Sequence, residues 1–106
     1  PLGNSLNNLT NLTTLTFGYS FDQPLGNSLD QLVNLTDLNL DCQFIKPLNN
    51  SFNKLHNLTH LRFCYHFNQP LDNSLNQLFN LKNLTFKFYF NQLYYVFLYL
   101  SIHLSA

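Results

Sequence analysis

Few residues in this chain could do chemistry, and their spacing excludes most of it. His60 and Cys64 come nearest to a nucleophile with its base. Four residues apart on an extended strand, they lie about 13 Å apart at ~3.3 Å per residue. A working pair needs contact at about 3 Å, so they form no dyad. No spacing brings a serine or threonine to Asp37 and His60, and no G-x-S-x-G segment occurs. No enzymatic activity is expected. A metal site would draw on Cys42, Cys64 and His66. Zinc asks for four ligands converging at about 2.0–2.3 Å. Cys42 falls one repeat column later than Cys64, which on strands turns the two thiols to opposite faces. The same placement argues against a disulfide. Neither a metal nor a cofactor is expected. N-x-[ST] sequons stand at Asn8, Asn11, Asn34, Asn49, Asn57 and Asn83. In a secreted protein they would be glycan acceptors. Here N-L-T is mostly a by-product of a repeated unit, and at the start of a strand a glycan would meet the next unit.

Composition narrows the classes further. The chain has 106 residues and a mass of 12.4 kDa, enough for one modest core. Its net charge is zero, and only 9% of its residues are charged, against about 25% in an average soluble domain. With 45% hydrophobic residues, disorder is not expected. Nucleic-acid binding is not expected either, because neutralising phosphates takes clustered Lys and Arg. The longest unbroken apolar stretch, residues 93–100, is far short of the ~20 residues of a membrane span. Two cysteines without a CxxC do not make a secreted disulfide scaffold. The chain begins at Pro1 with no signal peptide at its start, which suggests a piece of a longer repeat chain.

The elements that must position these residues come from a repeat. Pro1, Pro24, Pro47 and Pro70 are spaced by 23 residues, as are Phe21, Phe44, Phe67 and Phe90. Asn4, Asn27, Asn50 and Asn73, each followed by Ser, share the period, as do the leucines at 12, 35, 58 and 81 and at 15, 38, 61 and 84. Four units, 1–23, 24–46, 47–69 and 70–92, follow without an insertion. Within each, a stretch such as Thr36-Asp37-Leu38-Asn39-Leu40 alternates polar and apolar residues, as a half-buried strand does. Leu25, Leu29 and Leu32 are spaced as on a helix and follow a Pro and an Asn-Ser pair, which suits a short helical or 3₁₀ turn. The strands should stack into a parallel sheet, each unit depending on its neighbours for burial. The Phe column should stack unit on unit about 5 Å apart. Either Asn4/27/50/73 or Asn11/34/57/80 should form a ladder of side-chain bonds to backbone.

The stretch L-x-x-L-x-[FL], seen in Leu35-Thr36-Asp37-Leu38-Asn39-Leu40 and Leu58-Thr59-His60-Leu61-Arg62-Phe63, resembles the leucine-rich repeat. Three residues after the strand core, Ser20, Gln43, His66 and Tyr89 stand where many such repeats have Asn, which shifts the load to the Phe column. The tetrapeptides Phe21-Asp22-Gln23-Pro24, Phe44-Ile45-Lys46-Pro47 and Phe67-Asn68-Gln69-Pro70 resemble the FNIP repeat, a leucine-rich-repeat relative of amoebae and the giant viruses that infect them. The resemblance covers residues 1–92. It implies an α/β fold: a right-handed leucine-rich-repeat solenoid, with a parallel sheet on the concave face and short helical or 3₁₀ turns on the convex face. It also implies a protein-binding array in the cytoplasm, the substrate-recognition part of an F-box-type ubiquitin-ligase adaptor. Residues 93–106 leave the pattern, as a degenerate apolar coil capping the array or as an out-of-frame tail.

Residues flanking the strand core point outward. Three columns result: Thr14, Asp37, His60, Asn83; Thr16, Asn39, Arg62, Thr85; and Gly18, Asp41, Cys64, Lys87. The expected partner-binding residues are Asp37, Asn39, Asp41, His60, Arg62, Asn83, Thr85 and Lys87, with Asp37 and His60 as cross-strand neighbours that favour a charged imidazole. The expected partner is a protein, with neither nucleic acid nor membrane. The competing reading is a secreted or surface structural glycoprotein, and a third is a non-functional fragment of a repeat gene.

Overall fold

A computed structural model describes residues 3–40, 44–63, 67, 69–71 and 73–86. The expectations on Asp41, Cys42, Cys64, His66, Lys87, Phe90 and residues 93–106 lie outside the described residues. Four short strands follow in chain order: β1 (Thr14–Thr16), β2 (Asp37–Leu40), β3 (His60–Phe63) and β4 (Asn83–Phe86). They form one parallel sheet in the order β1-β2-β3-β4. Register follows the period: Leu15 pairs with Leu38, Leu38 with Leu61, and Leu61 with Leu84. A parallel neighbour needs a crossover of a dozen or more residues, which each unit supplies.

That crossover corrects one expectation. The described residues contain no helix. Between strands the backbone makes a chain of separate four-residue turns. In the second unit, the N–H groups of Ser28, Asp30, Leu32 and Leu35 donate to the carbonyls of Leu25, Asn27, Leu29 and Leu32. A 3₁₀ helix needs such bonds from consecutive residues, and these are interrupted. The leucine spacing fits the turns, with one inward residue per turn. Leu29, Leu32 and Leu35 are each fully buried, and the N–H groups of Leu32 and Leu35 donate to the carbonyls of Leu29 and Leu32. The segment cannot start as a right-handed helix because Gly3, Gly26 and Asn49, equivalent positions of three units, have φ of +53°, +51° and +49°. Gly and Asn are the residues that enter this left-handed region most readily.

The core lies between the sheet and the turn chain. In the second unit Leu25, Leu29, Leu32, Leu35, Leu38, Leu40 and Phe44 are all buried, and their counterparts from Leu48 to Phe67 in the third unit are too. Phe21, Phe44 and Phe67 stack with centroids 6.1 and 6.0 Å apart and planes within 9° and 5° of parallel. The column therefore stacks as expected, at a spacing slightly wider than the strand separation, as an offset stack prefers. Phe17 and Phe63 extend it inward, packing on Phe21 and Phe67 at 4.2 and 4.6 Å.

The asparagine ladder falls on the column just before the strands. Asn34, Asn57 and Asn80 donate Nδ2 to the carbonyls of Thr10, Val33 and His56 in the preceding unit, at 2.9, 3.0 and 2.8 Å. Two residues on, the carbonyls of Thr13, Thr36 and Thr59 each accept two backbone N–H groups of the following unit. In the other column, Asn4 and Asn73 accept from Asn7 and Asn76 of their own units. At the far end of the strands, Asp22 Oδ1 accepts the N–H of Ile45, and Gln69 Nε2 donates to the carbonyl of Ile45.

Candidate protein-binding face

The sheet has one face in the core and one outside it. Strand alternation sends Leu38, Leu40, Leu61 and Phe63 inward and leaves Asp37, Asn39, His60 and Arg62 outward. Because the register is in phase, like positions fall side by side: Thr14 beside Asp37, Asp37 beside His60, and His60 beside Asn83. The second column runs Thr16, Asn39, Arg62, Thr85 in the same way. Together these two columns line one shallow groove of about 240 Å³, floored by Leu38 and Leu61. Six of the eight expected binding residues thus meet on one surface. Asp41 and Lys87 are outside the described residues.

The first column is tied together by hydrogen bonds. Asp37 Oδ1 lies 3.9 Å from His60 Nδ1, with both side chains about half exposed. The nearer partners of His60 are others. Thr59 Oγ1 is 2.8 Å from Nδ1, and Asn83 Nδ2 is 2.8 Å from Nε2. One proton arrangement satisfies every member. Asn83 donates to Nε2, the Nδ1–H donates to Thr59 Oγ1, and the Thr59 hydroxyl donates to the carbonyl of Thr36 at 3.1 Å. The Thr36 hydroxyl lies 2.9 Å from Asp37 Oδ1, extending the set to the carboxylate. Asp37 and His60 are neighbours as expected, but the imidazole is held chiefly by Thr59 and Asn83. Asn83 was legible as the next member of the column. Thr59 faces the strand start, and only its rotamer brings its hydroxyl to the ring.

The second column differs. Arg62 is exposed and makes no ion pair with the described residues. In the sheet register Arg62 stands between Asn39 and Thr85, and a guanidinium is suited to grip a carboxylate with two parallel bonds. The other ion pair, Lys46 with Asp22 at 3.9 Å, lies away from this face and ties the first unit to the second. No group of three or more His, Cys, Asp or Glu that could hold a metal occurs among the described residues. No helix among them is long and apolar enough to cross a membrane. Comparison with protein-family models, curated proteins and solved structures finds no match to this chain.

Proposed function

We propose that this chain is a right-handed leucine-rich-repeat solenoid of the FNIP type whose sheet face binds a protein. The observation that carries the reading is the convergence of outward side chains from four strands into one groove of mixed charge. An array of this kind buries its apolar columns internally and presents a broad polar surface, which suits recognition of another macromolecule better than catalysis. Parallel strands joined by crossovers are right-handed in nearly all proteins, which gives the hand. By its resemblance to FNIP repeats, the chain serves as the substrate-recognition part of an F-box-type adaptor in the cytoplasm.

One observation speaks against the glycoprotein reading. The Nδ2 atoms of the sequon residues Asn34 and Asn57 are spent on carbonyls of the preceding unit. A glycan on that nitrogen would have to share it with the ladder.

The test replaces Asp37 and Arg62 together by alanine. Both side chains point away from the core, so the double variant keeps its fold and melting temperature. Partner capture is read with a photocrosslinker placed at Thr16 on the sheet face or at Asn27 on the turn side. A partner crosslinked from Thr16 only, and lost in the double variant, supports the reading. Equal capture from both positions, or capture unaffected by D37A/R62A, removes it.

A further inference from the structure

Charge on the sheet face is sparse and lies on the inner strands. Besides His60, whose charge follows its proton, the formally charged residues lining the groove are Asp37 on β2 and Arg62 on β3. Each of these strands has a neighbour on both sides, so the setting of both residues is complete within the described sheet. The floor of the groove gives a partner little to hold. Leu38 and Leu61 line it, but they are only 2% and 1% exposed. Apolar stabilisation scales with the area removed from water, and almost none is available there. A partner seated in the groove is therefore held by polar and charged contacts with its walls.

The two charges do not neutralise each other. In the register Asp37 stands beside His60 and Arg62 beside Asn39, which sets the pair on a diagonal. One strand separation of ~4.8 Å and two residues at ~3.3 Å place their backbones about 8 Å apart. No ion pair joins them. The Asp37 carboxylate has the Thr36 hydroxyl at 2.9 Å. The Arg62 side chain is exposed, and its neighbours along the column, Asn39 and Thr85, are uncharged. A carboxylate reaching Arg62 meets a planar fork of donors that no described residue has already neutralised.

We propose that this groove selects a protein segment carrying an acidic residue for Arg62 and, two positions along, a basic residue for Asp37; this rests on the protein-binding reading of the face. In an extended segment residues two apart share a face at about 6.7 Å, and a Lys or Arg side chain has the reach to match a diagonal of about 8 Å. The groove of about 240 Å³ has room for these side chains, with the backbone of the segment lying above it. The carboxylate accepts two parallel N–H bonds from Arg62, and the basic head pairs with Asp37. A phosphate group would bring up to two negative charges close to Asp37, a repulsion that a single carboxylate halves. Complementary charge on a diagonal also fixes the direction of the segment, since reversing it sets acid on Asp37 and base on Arg62.

Random dodecapeptides displayed on phage and panned on the full chain test this, with a photocrosslinker at Thr16 marking those that seat on the sheet face. Peptides crosslinked from Thr16 should carry Asp or Glu two positions from Lys or Arg. For a synthetic copy of one such peptide, Arg62→Ala should weaken binding roughly 10–100-fold, the loss of a charge-assisted bidentate pair. Arg62→Lys, which keeps the charge and loses the fork, should fall between Arg62→Ala and the wild type. Both variants should keep the wild-type melting temperature, because the side chain is exposed. Panning on Arg62→Glu should select a basic residue in place of the acidic one. Three results overturn the inference while leaving the sheet-face reading standing: Thr16-crosslinked peptides without the acid–base pair, an affinity that Arg62→Ala leaves unchanged, or tighter binding of a copy with phosphoserine in place of the acid. A selection that yields no peptide crosslinked from Thr16 overturns both.

Discussion

A single column of residues decides the path of the chain after Pro1, Pro24 and Pro47. Gly3, Gly26 and Asn49 all hold positive φ, and apart from its own chain neighbours no residue comes within 4 Å of where a Cβ on Gly26 would sit. Replacing Gly26 by alanine therefore meets no steric neighbour, and its cost is conformational. The expected loss is about 1–2 kcal/mol, the penalty for a Cβ in the left-handed region. Asn49→Gly, which relaxes the same position, should leave stability nearly unchanged. Denaturant titrations of the two variants check this, and a neutral Gly26→Ala would show that the turn has another solution. His60 teaches a related lesson. Its place beside Asp37 was legible from the period, but its principal bonds run to Thr59 and Asn83. A column tells which residues are adjacent, while rotamers tell which of them bond.

The element that holds neighbouring units in line is the phenylalanine stack. Phe44 is fully buried between Phe21 and Phe67 and nearly parallel to both. Phe44→Ala and Phe67→Ala should each destabilise the protein by roughly 3–5 kcal/mol, the range for emptying a buried aromatic site. Thermal melts report the loss, and unchanged melts in both variants would remove the stack as a source of stability. The strands alone could not supply this alignment, since each is only three or four residues long. The stack at one end and the asparagine ladder at the other bracket them. The ladder was expected on one of two columns. It formed where the side chain faces the carbonyls of the preceding unit, and the Asn4 and Asn73 amides instead bond within their own turns.

At the scale of the whole molecule, stability belongs to neighbours. Burial is complete in the second and third units and incomplete in the first. If the units are coils of one solenoid, deleting residues 24–46 joins Gln23 to Pro47 in phase and should leave a shorter folded array. Deleting residues 24–35 breaks the phase and should abolish cooperative unfolding. Circular dichroism melts of the two deletions check this: a full-unit deletion that unfolds as completely as the half-unit deletion would sink the solenoid reading. The contrast depends on register, because a parallel strand out of phase exposes its apolar face.

The sequence by itself determined the period, the strand positions, the inward columns of Leu and Phe and the outward pairing of Asp37 with His60. Each follows from alternation and a repeat length without insertions, which leave one way to align the units. The sheet-face groove was legible for the same reason. Tertiary structure decided what periodicity leaves degenerate. Apolar residues every three or four positions fit a helix and a run of turns equally well, and the left-handed residue at Gly26 and Asn49 breaks the tie. That residue type was readable as a column, but its meaning depends on φ. The choice of ladder and the bonding partners of His60 likewise depend on distances between units. A sequence read one unit at a time contains the columns, and only their stacking in space shows which groups bond to which.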